Sequence, residues 1–214
     1  MIKQGEQNGT TTTGGDKGDL RREQILEAAR VTLTRVGFEK ITTRRIAEEA
    51  GVNIATLHYY FGTKEALLTE AVRYAFRRAE RRLRDAIESA PTATKALEKA
   101  FDTTWEMVRE RFGILRYDLT VRGFRDRSAQ QEAQAVYKGY QRLAEEIVTR
   151  HVASGGTLAP GITAPALAHY LVSGLDGVIL RHALDEDDEA ARRSFDLILD
   201  HALRLMGVER RGRE

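Results

Sequence analysis

Residues Thr42 to Lys64 read TTRRIAEEAGVNIATLHYYFGTK, and this stretch decides the fold. Thr42 or Thr43 can open a helix, because a hydroxyl accepts a hydrogen bond from a free backbone N–H of the first turn. Ile46, Ala47 and Ala50 then fall on one face at helical spacing. Gly51 follows the last turn, where a residue of positive φ stops a helix. Val52 is apolar within the turn and suits the gap between two helices. Leu57 and Phe61, four apart, make the buried face of a second short helix. Thr56, His58 and Tyr59 point elsewhere, free to meet a partner. Gly62 ends this helix and Thr63 can cap a third. Two short helices around a tight turn form a helix-turn-helix, which places one small helix in the DNA major groove. The polar and aromatic outer side of that helix reads as a recognition surface.

Outward from this stretch the chain resembles the TetR-type transcriptional repressors. The matching residues are Ile25, Ala28, Ala29, Leu33 and Gly37-Phe38 in the preceding helix. They continue through Thr42-Thr43, Ile46-Ala47, Ala50-Gly51-Val52, Thr56-Leu57, Tyr59-Tyr60-Phe61 and Lys64-Glu65-Ala66-Leu67-Leu68. The set covers roughly residues 20 to 70; beyond it the likeness is looser, carried by a helical pattern and Leu175-Asp176-Gly177. The resemblance implies an all-α fold, a homodimer on a palindromic operator, and release by a small, partly hydrophobic effector. Some relatives of this kind bind DNA without a ligand and act in chromosome organisation or division, the alternative reading. By matching family position, Thr43, Tyr59 and Lys64 are implied phosphate contacts. Arg44, Asn53, Ile54, Ala55, Thr56 and His58 form the implied base-facing set, with Arg45 a further phosphate candidate. His58, Ile54 and Ala55 depart from the residues common in the family at those positions, so no operator sequence carries over. Two of these assignments also have a physical basis. A helix N-terminus beginning at Thr43 can hold a phosphate through its free N–H groups, and Arg44 can be bidentate to guanine.

Composition agrees. The chain has 214 residues with 42% hydrophobic content, ample for a core, and no cysteine, which removes disulfides and thiolate metal sites and fits a reducing cytoplasm. Net charge is +2, and up to Lys64 there are ten Lys/Arg against eight Asp/Glu, so affinity for DNA must come from placement and pairing of subunits rather than bulk charge. No apolar run reaches the length of a membrane span, and the N-terminus lacks the apolar stretch of a signal peptide. Three segments are expected: a disordered tail over 1–19, a helix-turn-helix domain over 20–66, and a helical effector and dimerisation domain over 67–210.

Past Lys64 the pattern is helix after helix. Helices are expected over about Thr63–Ser89, Thr94–Arg111 (with Leu97, Phe101, Trp105, Val108 and Phe112 on one stripe), Gly113–Arg125, Ala129–Ser154, Thr163–Leu184 and Asp187–Gly207. The last two carry a candidate dimer interface: Leu167, Leu171, Gly174, Leu175, Gly177 and Val178, with Phe195, Ile198, Leu199, Ala202 and Leu205. Glycine inside a helix costs about 1 kcal/mol against alanine, and close packing would offset that cost. Packing inside one chain is the alternative, and the family resemblance favours a two-fold four-helix interface between subunits. Effector candidates are Phe101, Trp105, Met107, Phe112, Tyr117, Phe124, Tyr137, Tyr140, His169 and Ser173, although aromatics at this spacing also serve as plain core. Arg116 and Asp118 stand in a largely apolar helix as a further polar pair. The arginines from Arg73 to Arg84 read as a solvated face with i,i+4 pairs. The five histidines show no ligand spacing, and no nucleophile or phosphate-loop motif is present, so neither an enzyme nor a metal or other cofactor is expected.

Overall fold

The computed structural model describes residues 14–208. Among these, every regular element is helical. The order is α1 (Gly14–Lys40), α2 (Thr43–Ala50), α3 (Ile54–Phe61), α4 (Lys64–Glu88), α5 (Ala93–Arg109), α6 (Phe112–Gly123), α7 (Arg127–Ala153), α8 (Ala164–Asp185) and α9 (Asp188–Leu205). Residues 14–19, placed in a tail by composition, are the first turns of α1. Adding turns to an anchored helix costs far less than nucleating one, so α1 outruns its packed face. The rest of the expected tail lies outside the described residues. Gly37 (φ 74°, ψ 173°) breaks α1 and turns its last residues toward α2.

Short polar residues fix the helix starts. Thr42, not Thr43, caps α2 and accepts from the Arg45 N–H at 3.2 Å. Thr63, Thr92, Asp126, Thr163 and Asp187 do the same for α4, α5, α7, α8 and α9. α6 starts without a side-chain cap, after Arg111 in the left-handed region. That kink ends α5 early. Phe112, expected on the α5 stripe, therefore begins α6 and packs edge-on against Phe76 of α4 at 5.3 Å.

The N-terminal core is formed by Ile25, Leu26, Ala29 and Leu33 of α1, Ile41, Ile46, Ala47 and Ala50 around α2, and Leu57, Phe61 and Leu67. Each fully buried large side chain contributes about 1.5–3 kcal/mol relative to exposure, and this sum holds two helices of eight residues that would not persist alone. Val52 packs half-buried against the same core. α4 leaves this unit and runs along α5 and α7 in the larger one, while α6 touches α1. α6 and α8 cross closely at Gly113, where an added Cβ would lie 2.6 Å from Ile179 Cγ2.

The arginines of α4 do more than line a solvated face. Arg73 reaches Glu132 of α7, and Arg82 reaches Glu106 and Glu110 beside α5. The acidic run between α8 and α9 makes a turn: Glu186 adopts φ 52°, and Asp187 caps α9. His182 bonds to Asp188 at 2.7 Å.

Five residues expected at a dimer interface, Leu167, Leu171, Phe195, Leu199 and Ala202, are sealed inside the protomer's own core at 2% exposure or less, which corrects that part of the assignment. Gly174 likewise serves the internal α8–α9 crossing, with Ile198 Cδ1 3.3 Å from where its Cβ would be. Leu175, Val178, Ile198 and Leu205 are half-buried against the core. Gly177 faces open space. The apolar surface these helices leave exposed is Tyr170, Leu180, Leu184 and Leu197. The period was read correctly but the phase was not, because two helices that share one core turn their most regular apolar stripe inward.

Candidate nucleic-acid interface and cavity

Asn53 shapes the recognition surface. Its Oδ1 accepts from the Thr56 N–H at 2.7 Å and from the Thr56 hydroxyl at 2.8 Å, which closes the first turn of α3 and spends both polar side chains on capping. Gly51, at φ 62°, returns N–H bonds to the end of α2 and sets the turn. With Leu57 and Phe61 turned inward, the outer side of α3 presents Ile54, Ala55, His58 and Tyr59. Tyr59 is 83% exposed and stacks edge-on against Tyr60 at 5.1 Å. His58 Nδ1 lies 2.8 Å from the Gly62 carbonyl. A carbonyl accepts only, so a neutral ring carries its proton on Nδ1 and turns an acceptor, Nε2, outward.

Arg44 and Arg45 are both exposed at the start of α2. Arg44 pairs with Glu48 one turn on at 3.1 Å, and Arg45 donates to the Lys40 carbonyl at 2.9 Å. An exposed pair of this kind is worth 0–1 kcal/mol, so Arg44 is available to a stronger anion. Thr43 and Lys64 are half-buried, each in the first residue of its helix. Their helix N-termini therefore supply free N–H groups beside them. The structure brings the whole expected DNA set onto α2, α3 and the start of α4. Asn53 and Thr56 differ from the rest in being already hydrogen-bonded to each other.

The effector candidates divide. Phe101, Met107, Phe112 and Tyr140 line a cavity of about 90 Å³ among α4 to α8. Trp105 instead stacks against Phe195 and His182. Phe124, at 80% exposure, lies on the surface, as do His169 and Ser173, and none of these four lines the cavity. Tyr117 and Tyr137 flank Arg116 with ring centres 5.7 and 5.8 Å from its guanidinium carbon, and Tyr140 adds a third at 5.9 Å.

Arg116 pairs with Asp176 of α8, whose Oδ1 is 2.5 Å from Nη2, and not with Asp118. Two residues apart on one helix, Arg116 and Asp118 point to different sides. The real partner lies across the domain, beyond the reach of any local pattern. Burial pushes the Asp176 carboxyl above its usual value, opposed by Arg116 and by a bond from Tyr137. Burial also raises the Tyr117 hydroxyl to about 12, and this group donates to the Asp176 carbonyl. Asp118 turns the other way: burial raises it, and the Phe38 N–H of α1 bonds to it. Arg122 lies over the Phe38 ring at 5.0 Å. One face of α6 thus meets the cavity and another meets α1.

Among the described residues no group of three or more His, Cys, Asp or Glu could hold a metal ion, and no helix is long and apolar enough to cross a membrane.

Residues 25–71 match the family model of bacterial regulatory proteins of the tetR family. The HTH-type nicotine-responsive transcriptional repressor HdnoR of Paenarthrobacter nicotinovorans is 25% identical over 190 residues, spanning 88% of this chain and 96% of the relative. The HTH-type transcriptional regulator BetI of Brucella canis is 29% identical over 194 residues, spanning 88% of this chain and 93% of the relative. The fold is shared with a TetR transcription regulator from Haloarcula marismortui (TM-score 0.76, 18% identity, 88% and 99% of the two chains). It is shared also with a transcriptional regulator from Saccharomonospora viridis in complex with choline (TM-score 0.75, 19% identity, 90% and 100%). A helix-turn-helix of this geometry, matched over residues 25–71 and joined to the fold these regulators share, gives the chain a DNA-binding domain of the tetR family of bacterial regulatory proteins.

Proposed function

We propose that the chain is a homodimeric repressor that reads a palindromic operator with a pair of α3 helices and is released by a small-molecule effector. The observation that carries this reading is the capped, outward-facing α3, whose Tyr59 and His58 stand clear of the core. An eight-residue helix meets too few bases for specific binding alone, so two copies a helical turn apart are needed. The exposed stripe of Tyr170, Gly177, Leu180 and Leu184 on α8, beside Leu197 on α9, is the surface proposed to join them. Phosphate contacts are assigned to Thr43, Arg45, Tyr59 and Lys64, and base contacts to Arg44, Ile54, Ala55 and His58.

Repression is supported by HdnoR, a repressor by name. Effector control is supported by its nicotine response, by the choline held in the Saccharomonospora neighbour, and by the cavity here. The cavity favours this reading over a ligand-free role in chromosome organisation. Its volume of about 90 Å³ is below the 300 Å³ or more of common ligand sites, so an effector must part α5, α6 and α8 to enter. Parting them moves α6, whose Asp118 and Arg122 touch Phe38 at the end of α1, and α4, which continues directly from the helix-turn-helix. Occupancy then shifts the population toward a form with the wrong spacing of recognition helices. The reading is tested by fluorescence anisotropy with labelled fragments of the gene's own upstream region. Saturable binding of two protomers to one fragment supports it, and equal weak binding to all fragments overturns it.

A further inference from the structure

The cavity wall holds one charged side chain. Arg116, only 8% exposed, reaches it from α6 among leucine, isoleucine and phenylalanine side chains, and no Asp or Glu stands in the lining. Its counter-ion, Asp176, touches it at 2.5 Å, yet Nε, Nη2 and Asp176 Oδ1 all lack a partner in hydrogen-bond geometry. The charge is balanced and the donors are not. A buried guanidinium with open donors costs free energy that a planar two-oxygen anion recovers, because its fork matches a carboxylate. The three tyrosine rings around it keep it in place for that contact. Thr104, another polar group in the lining, spends its hydroxyl on the Ala100 carbonyl at 2.7 Å. Burial keeps the Tyr140 phenol protonated, so it offers a second donor beside Arg116. A cation entering here would meet a guanidinium whose charge Asp176 already balances, and no carboxylate in the lining to receive it.

On the reading that this cavity is the effector site, we propose that the effector is an amphipathic monoanion: a carboxylic acid with an aliphatic or aromatic body, its carboxylate on Arg116. Taking Arg116 from Asp176 would loosen an ion pair that ties α6 to α8 beside the cavity. That gives the effector a grip on the helix that also touches α1.

The test is isothermal titration of the full chain with octanoate and phenylacetate, their neutral amides, and octyltrimethylammonium. At least one carboxylate is expected to bind, about tenfold or more tighter than its amide and than the cation. The double variant Arg116→Gln with Asp176→Asn removes both charges together, so that neither is left buried alone. It should keep its helicity and lose the preference for carboxylate over amide. The proposal is overturned if amide or cation binds as tightly as the matched acid. It is overturned also if neither acid binds at millimolar concentration, or if the folded double variant keeps the preference. Should that variant not fold, the comparison of acid, amide and cation on the unaltered chain decides alone. Upstream-DNA affinity is read in parallel. Carboxylate binding that leaves it unchanged sustains the ligand class and removes effector release. Release by the cation alone does the reverse.

Discussion

At the scale of single residues, electrostatics sets what each contact can contribute. Lys64 stands in the first residue of α4, where its ammonium adds to the free N–H groups of the helix end. A phosphate contact carries no sequence information, so Lys64→Ala should weaken binding to every fragment alike and flatten the salt slope by roughly one unit. An unchanged slope in anisotropy titrations at several salt concentrations would remove Lys64 from the phosphate set. Glu27 offers a test within the fold. The Arg30 guanidinium, 2.7 Å away, holds the Glu27 carboxyl below its usual value, against the opposing effect of burial. A depressed folded value means the pair stabilises when the carboxylate is ionised. That contribution is present above the ordinary carboxylate range and is lost as pH falls through the depressed value. Glu27→Gln should therefore cost roughly 0.5 kcal/mol at neutral pH, with the gap to the unaltered chain closing in thermal melts as pH falls below the ordinary carboxylate range. A gap that stayed constant with pH would point to packing instead.

At the scale of elements, local chemistry was legible in the sequence wherever one residue acts on its own helix. Thr63 as a cap, Gly51 as a stop and the inward pair Leu57 and Phe61 follow from spacing alone, and each stands as read. Asn53 is the residue whose role spacing did not separate from base contact. Its side chain closes α3, and Asn53→Ala should cost about 1 kcal/mol of stability. DNA affinity should fall with it, because the first turn of α3 loosens; denaturant melts and anisotropy would read the two effects together. The illegible parts are contacts between distant elements. Arg116 finds Asp176 rather than Asp118, and Gly113 exists to let Ile179 approach, pairings that depend on how α6 and α8 cross. Phe124 and Trp105 looked alike as aromatic candidates, and only the packing separates a surface ring from one stacked on Phe195.

At the scale of the whole molecule, the helical domain has spent most of its apolar stripe on itself, and what remains on α8 and α9 must do the pairing. Leu184 and Leu197 are 74% and 69% exposed. Burying such side chains contributes about 1.5–3 kcal/mol each, and a two-fold interface counts every residue twice. Leu197→Asp, at a position outside the protomer's own core, should give a folded monomer by sedimentation velocity whose affinity for DNA is at least tenfold lower; an intact dimer would move the interface elsewhere. The central claim is that two α3 helices face one side of a duplex together. Hydroxyl-radical and guanine-methylation footprinting of the full chain on its upstream region measures this directly. Two protected major-groove patches on one face, centred about 34–36 Å apart or a multiple of that, are the expected pattern. A single patch, or none at concentrations where the protein is dimeric, would contradict it.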